Sequence, residues 1–379
     1  MKIPRQLHLF FPENDIALVA NKPHFTPPAA ARDIHIAGEA LPLWYGNKGD
    51  EVLTGGINAR WYEHITQRFD IGPTLHNLKY NPDLKPAPWG WSAASRTSFI
   101  DAGYPPEALP SDEELSRWRQ LSHRRTSAML AETLHCALPA VFAAPAVEAH
   151  TVDQAMALLH DMPQAVVKTP YSSSGRGLMF TGSLSADYLR QRIDATIRRQ
   201  SSVMVEPAIS READFALLFD SGGDGTLKYI GLSLFRCDAL GHYRGNVLTD
   251  DATIASLLGI DNLDRVISSV MKALTPLCAG AYIGPLGVDM MTSCDGMIAV
   301  AEINFRMTMG RVAHTLARRY ICAGSIGSFV VTTNAAGIDT TSAAVVSGGK
   351  LISGGINLVP NGLKFRFMMY ADDHLASDI

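Results

Sequence analysis

Residues 286–306 read LGVDMMTSCDGMIAVAEINFR: two apolar runs joined by an Asp-Gly pair, with Asp289 in the first and Glu302-x-Asn304 in the second. A strand turns successive side chains to opposite faces, so Glu302 and Asn304 point the same way. Asp295-Gly296 is a hairpin signal, and a hairpin there lays Asp289 beside the other two. Three hard oxygen donors on neighbouring strands suit Mg2+, which takes carboxylates together with water and substrate phosphate. Polar groups in so apolar a sheet are costly unless paired or ligated. The stretch reads as a metal–nucleotide site.

Working outward, the chain of 379 residues is long enough for two or three domains around a sizeable core. Only 18% of residues are charged and 47% are hydrophobic, which predicts a globular protein. A formal charge of −4 and a pI near 6.3 show no basic patch, so no nucleic-acid partner is expected. Cys136, Cys237, Cys278, Cys294 and Cys322 are scattered with no C-x-x-C pair; they read as free, buried thiols in a reducing compartment. No signal-peptide core and no apolar run of membrane-spanning length is seen, so the expectation is a cytoplasmic protein without a membrane partner.

Upstream, residues 7–11 form a short strand, followed by helices at 29–40 and 59–69 with a strand-like 51–54 between them. That alternation predicts a small α/β domain over residues 1–115. Residues 80–110, with Pro82, Pro86, Pro88, Trp89, Trp91, Pro105, Pro106 and Pro110, read as an irregular packed connection. Ser111-Asp-Glu-Glu114 is a capping box that opens a long helix through 135, and Thr151-Val-Asp-Gln154 starts the next. Then come a strand at 165–168, a helix at 188–199 and a strand at 203–206. A hairpin pairs 214–219 with 229–235 around Ser221-Gly-Gly-Asp-Gly225, where Asp220 and Asp224 read as solvated turn residues rather than a calcium site. Helices at 261–274 and 309–321 flank the metal strands, and 362–370 reads as an added edge strand. The fold class is α/β (α+β), divided at about 1–115, 116–200 and 201–379.

Val166-Val-Lys168 ends a strand and runs into Thr-Pro-Tyr-Ser-Ser173-Ser174-Gly175-Arg176-Gly177. Glycine lets backbone amides approach phosphate oxygens, serine hydroxyls add donors, and Lys168 supplies a point charge. Alone, the loop reads equally well as a flexible surface loop. Walker A and G-x-G-x-x-G fingerprints are absent. Val203-Met-Val-Glu206-Pro-Ala-Ile209 is a strand leaving into a non-helical hinge, whose backbone groups can read an adenine edge. Glu212 and Asp214, two apart, can face a ribose hydroxyl, or be solvated carboxylates.

The order of these parts — lysine strand, glycine loop, Val-Glu hinge, Asp and Glu-x-Asn strands — resembles the ATP-grasp superfamily, over residues 120–330. The resemblance implies an ATP-grasp fold preceded by an N-terminal α/β pre-ATP-grasp domain at 1–115. Residues 116–200 would be the central subdomain with its glycine-rich lid, and 201–379 the C-terminal subdomain with the metal site. It implies that Lys168 contacts ATP phosphates, that Gly175–Gly177 belong to a mobile lid covering Ser173 and Ser174, and that Glu206 and Ile209 flank the adenine. Asp214 or Glu212 would meet the ribose, and Asp289, Glu302 and Asn304 would hold two Mg2+ ions, with Mn2+ as the other candidate metal. Arg306, in a Glu-x-Asn-x-Arg arrangement, would face the reacting phosphoryl or acyl group. Two departures stand out. Arg124 falls where the superfamily usually has a lysine, and it reads either as a planar phosphate clamp or as a helix-surface charge. Gly287 falls where some peptide-forming relatives carry an arginine, which weakens a match to D-alanine–D-alanine ligase.

For substrate, the start of the helix at Met309-Gly310-Arg311 offers free N–H groups to an anion, and Arg311 is the side chain expected to reach it. His314 and Arg318 read as structural. The polar loop Gly241-His-Tyr-Arg244-Gly-Asn246 and the run Phe11-Pro-Glu13-Asn14-Asp15 each read as ligand-bearing or as plain turns. Trp89 and Trp91 read as packing. The resemblance implies an ATP-dependent ligase joining a small-molecule carboxylate to an amine through an acylphosphate, in which a homodimer is one allowed assembly. A small-molecule kinase and a non-catalytic nucleotide sensor remain open, and no biotin-carrier segment supports a carboxylase.

Overall fold

Four short strands open the chain: Gln6–Leu9, Glu51–Val52, Thr74–Leu75 and Lys85–Pro88, all parallel, in spatial order third, second, first, fourth. They belong to a computed structural model that describes residues 4–77, 79–162, 164–172, 177–238, 240–333 and 344–372. The fourth strand corrects the expectation of an irregular connection at 80–110. Lys85 and Trp89 donate from their N–H groups to Arg5 and Leu9 at 2.9 and 2.7 Å, so the prolines at 86 and 88 fall on the alternate positions. Those positions turn toward the open edge of the sheet, where a missing donor costs nothing. The helix Ala93–Asp101 follows, opened by a reciprocal Ser92/Ser95 capping box.

The long helix expected from Ser111 is two helices, Asp112–Leu121 and Arg124–Ala137. His123 breaks it: its backbone is extended (φ −70°, ψ 136°) and its ring accepts the Arg125 N–H at 3.0 Å, capping the second helix. The break carries Arg124 to the head of a new helix, which points it inward. Burial, then the Arg125 charge, hold the His123 pKa down at about 4 from its ordinary 6.5. The unfolded chain therefore binds a proton in that window which the folded chain does not, so stability falls as pH drops from 6.5 toward 4. His123→Asn, which keeps a cap acceptor, is expected to flatten that slope in denaturant melts run across the window.

Residues 147–207 form a four-stranded antiparallel sheet, Val147–Ala149, Val203–Pro207, Ala165–Lys168 and Leu178–Phe180 in spatial order. Ala155 on Val152–Asp161 and Leu189 and Ile193 on Ala186–Gln200 close over its apolar face. The largest sheet has eight antiparallel strands in the order Ile298–Asn304, Gly284–Ser293, Arg211–Ser221, Leu227–Cys237, Tyr243–Leu248, Gly327–Thr333, Phe365–Tyr370, Gly355–Asn357, and Val345–Ser347 pairs separately with Lys350–Ser353. One face of its first half, with Phe215, Leu217, Leu286 and Val288, packs on the helix Leu263–Cys278 through Val266, Val270 and Leu274. Asp250 caps a further helix, Asp251–Leu258, that was not anticipated. Phe365–Tyr370 is not an edge strand as expected: it lies between Gly327–Thr333 and Gly355–Asn357.

The far half of this sheet shares a core with the amino-terminal segment. Phe329, Ile356, Leu358, Phe367 and Met369 cluster with Leu7, Leu9, Phe10 and Trp44, and Trp44 Nε1 donates to Leu358 O at 2.7 Å. The cysteines are free, but Cys136 and Cys294 are exposed rather than buried. No helix among the described residues is long and apolar enough to cross a membrane.

Candidate active site

The hairpin that carries Asp289, Glu302 and Asn304 owes its arrangement to one extra residue. Ile298 and Val300 contact the apolar core, and strict alternation from them would send Glu302 there too. The register instead passes from Met290↔Val300 to Asp289↔Glu302, leaving Ala301 as a bulge. The bulge resets the phase, so Ile303 and Phe305 take the core while Glu302 and Asn304 face a cleft of about 780 Å3. Asp289 stands directly across from Glu302, and Asn304 Nδ2 donates to Asp289 Oδ2 at 2.7 Å. With its amide nitrogen engaged, Asn304 offers Oδ1 as a ligand atom. Burial, then the Glu302 charge, push the Asp289 carboxyl up to about 7. Two facing carboxylates and an amide oxygen in a desolvated site fit a divalent cation, whose charge would relieve both effects.

Two cations reach this hairpin from other elements. Arg124 is buried, which removes the reading as a surface charge; it donates to Glu302 Oε2 at 2.8 Å, Thr169 O at 2.6 Å and Ser172 Oγ at 2.8 Å. Val166 pairs with Glu206, so Lys168, two residues on, is its diagonal neighbour on the same face. Lys168 Nζ lies 2.5 Å from Glu206 Oε1 and 3.4 Å from the carbonyl of the bulged Ala301. The lysine thus spans from the hinge to the metal strand.

Glu206, Ile209 and Asp214 all line the cleft. The Ala208 N–H is already given to Gln164 O, and Pro207 has none, which narrows the hinge donors left for a base. Burial raises the Asp214 pKa, against the pull of Arg211 at 3.2 Å. Glu212 is a correction: it is exposed and outside the cleft. The register passes from Thr292↔Ala213 to Ser293↔Arg211, so Glu212 is itself the extra residue of a bulge and does not share a face with Asp214. Gly177 packs tightly: Thr169 N donates to its carbonyl at 3.0 Å, and a Cβ there would lie 2.6 Å from the Ser172 side chain. Ser173, Ser174, Gly175 and Arg176 lie outside the described residues.

Arg306 lines the cleft and is held by Asp15 through two bonds, Nε–Oδ1 at 3.0 Å and Nη2–Oδ2 at 2.7 Å, with Nη1 on Met307 O at 3.1 Å. Burial opposes its charge, but Asp15, and behind it Glu302 and Asp289, more than offset this, so its pKa stands above the ordinary value. Arg311 is the second correction. Met309 and Gly310 line the cleft, but the next residue is rotated by about 100° around the helix. Its guanidinium grips Asp220 at 2.9 and 3.1 Å, outside the cleft. His314 is buried against Asp251 at 3.4 Å, as a structural residue would be.

Several cleft residues had no role in the sequence reading. Leu178, Phe180 and Phe235 form apolar walls, yet as strand residues they carry no mark that separates them from core. Trp89 lines the cleft besides packing on Phe10. Asp15 had a faint signal, its place just after the first strand.

This arrangement of two sheets closing on a cleft, with an amino-terminal α/β unit against them, is the ATP-grasp fold. No protein-family model matches the chain, and no curated protein matches it by sequence. Solved structures do. A biotin carboxylase from Campylobacter jejuni is 11% identical with a TM-score of 0.52, covering 97% of this chain and 87% of its own. The biotin carboxylase domain of a Hydrogenobacter thermophilus 2-oxoglutarate carboxylase is 10% identical with a TM-score of 0.52, over 98% and 86%. N5-carboxyaminoimidazole ribonucleotide synthetase from Thermus thermophilus is 11% identical, also with a TM-score of 0.52, over 98% and 94%.

Proposed function

We propose that the protein is an ATP-dependent ligase that joins a small-molecule carboxylate to an amine, by way of an acylphosphate, releasing ADP and phosphate. The observation that carries the reading is the convergence of Asp289, Glu302 and Asn304 with Arg124 and Lys168 on one cleft. Among structures of this fold, the Campylobacter enzyme was solved with β-γ-ATP, and the Hydrogenobacter domain, a dimer, with MgADP, ADP and bicarbonate.

In this reading Asp289, Glu302 and Asn304 hold Mg2+, which when bound neutralises charge on the phosphate oxygens. Arg124 fixes the Glu302 carboxylate and presents its charge beside the Ser172 end of the glycine loop. Lys168 supplies the second fixed cation, while Glu206, Ile209 and Asp214 bound the nucleoside. Asp15 and Met307 use three of the five Arg306 N–H groups, which leaves two for the oxygen of the acyl centre.

The test is phosphate release screened with carboxylates and amines in pairs. Release that needs both members supports the ligase. ADP formation with neither present, or a stable phosphorylated acid with no amine requirement, overturns it. Lys168→Ala is expected to raise the KM for ATP about 10- to 100-fold, the worth of a charged hydrogen bond to phosphate. Steady-state kinetics against ATP check this, with Lys168→Arg recovering part of the loss.

A further inference from the structure

The amino-terminal segment brings its own chemistry to the cleft. Glu13 is buried, with its Oε1 on His35 Nδ1 at 2.7 Å, and its side chain lines the cleft. Its other oxygen, Oε2, is buried with no hydrogen-bond partner, and so is Oδ1 of the adjoining Asn14. A buried carboxylate oxygen without a donor beside a cleft is uncommon in a folded interior and points to a donor that the chain itself does not supply. Burial lowers the His35 pKa, but the Glu13 hydrogen bond and charge, then Glu39, outweigh it and leave it raised.

Around this carboxylate the cleft wall is apolar. Ile16, Ala31, Ile34, Trp89, Val331 and Phe365 line it. They belong to one neighbourhood, because the helix Ala29–Gly38, which carries Ala31, Ile34 and His35, packs on the strand Phe365–Tyr370. Ile16, Ile34, Val331 and Phe365 are only half-buried, so each keeps apolar surface for a ligand.

We propose that this compartment selects a substrate joining an ammonium group to an apolar body, an amino acid with a branched or aromatic side chain. The ammonium sits on Glu13 Oε2 and the side chain against Ile34 and Phe365. An ammonium donates to such an orphaned carboxylate oxygen and brings the opposite charge. The inference rests on the ligase reading above and names the substrate class for the same site.

Calorimetry on the full chain, with Mg2+ and a non-hydrolysable ATP analogue present, tests it without turnover. Leucine and phenylalanine are compared with glycine and with their deaminated counterparts, 4-methylpentanoate and 3-phenylpropanoate. The larger amino acids are expected to bind about tenfold or more tighter than glycine, and tighter than the deaminated acids by a similar factor. Glu13→Gln is expected to bring the amino-to-deaminated ratio near one. Phe365→Ala is expected to shrink the leucine-to-glycine ratio while leaving the amino preference in place. Thermal melts confirm that both variants fold. Deaminated acids that bind as tightly, glycine that matches phenylalanine, or variants that leave both ratios unchanged overturn the inference while the ligase reading stands. An analogue that does not bind at all removes the ligase reading, and this one with it.

Discussion

Glu302→Gln is expected to lower ATP-dependent phosphate release about a thousandfold or more, because metal-held charge at a transferring phosphoryl group is worth several kcal/mol. The substitution keeps the size of the side chain and an oxygen for Arg124 Nη2, so the wall of the cleft is preserved. It removes one of two facing anions, and with it the repulsion that helps hold the Asp289 carboxyl up at about 7. Loss of the Arg124 ion pair works against that relief, so the variant is expected to keep the stability of the parent to within about 1 kcal/mol. Loss of turnover with undiminished stability separates a metal role from a structural one. A variant that keeps a tenth of its activity places the chemistry elsewhere.

Asp15→Ala is expected to cost about 3 kcal/mol of stability, the usual result of leaving one member of a buried ion pair alone. Asp15 and Arg306 side chains are only 13% and 14% exposed, and the pair is bidentate. Removing the aspartate strands a guanidinium in a site that burial already makes unfavourable for charge. Arg306→Ala is expected to cost a similar amount, and the double variant less than the sum of the two, since the second change removes an orphaned partner. Urea melts of the four proteins give the cycle directly. Additive losses would mean that the two side chains do not depend on each other. The pair also ties the first helix to the residues that follow the strand Ile298–Asn304, so Asp15→Ala is expected to loosen the aim of Arg306 and slow turnover.

Much of this site was legible because its parts are local. Asp295-Gly296 announces the hairpin, and Lys168 closes a four-residue apolar strand whose bounds are those expected. The Asp214–Phe219 and Tyr229–Phe235 pairing likewise follows from its turn. What failed was phase. Glu212 and Asp214 were placed on one face by period-two reasoning, and a bulge separates them. The same kind of bulge at Ala301 helps Glu302, whose inward aim alternation from Ile298 would not predict. Single extra residues of this kind have no composition signal. Arg311 failed for a related reason, since one step of helix rotation sends it to Asp220 instead of the cleft. The prolines at 86 and 88 misled because a breaker in a strand is harmless at an outer edge, and edges are set by distant partners. The run from Phe11 to Asp15 could be read as ligand-bearing or as a plain turn and no further, because the partner that decides it, Arg306, lies 291 residues away from Asp15.

That span has a consequence for biosynthesis. The apolar side chains of the first sheet lie against Phe329, Leu358 and Phe367, which come much later in the chain. A nascent chain that has emerged only as far as the strand Lys85–Pro88 has made this sheet but not the surface that covers it. Translation of more than two hundred further residues must elapse before the two meet. During that interval the first sheet lacks the strands that cover it, and the segment carrying Phe329 to Phe367 completes a core begun with Leu7.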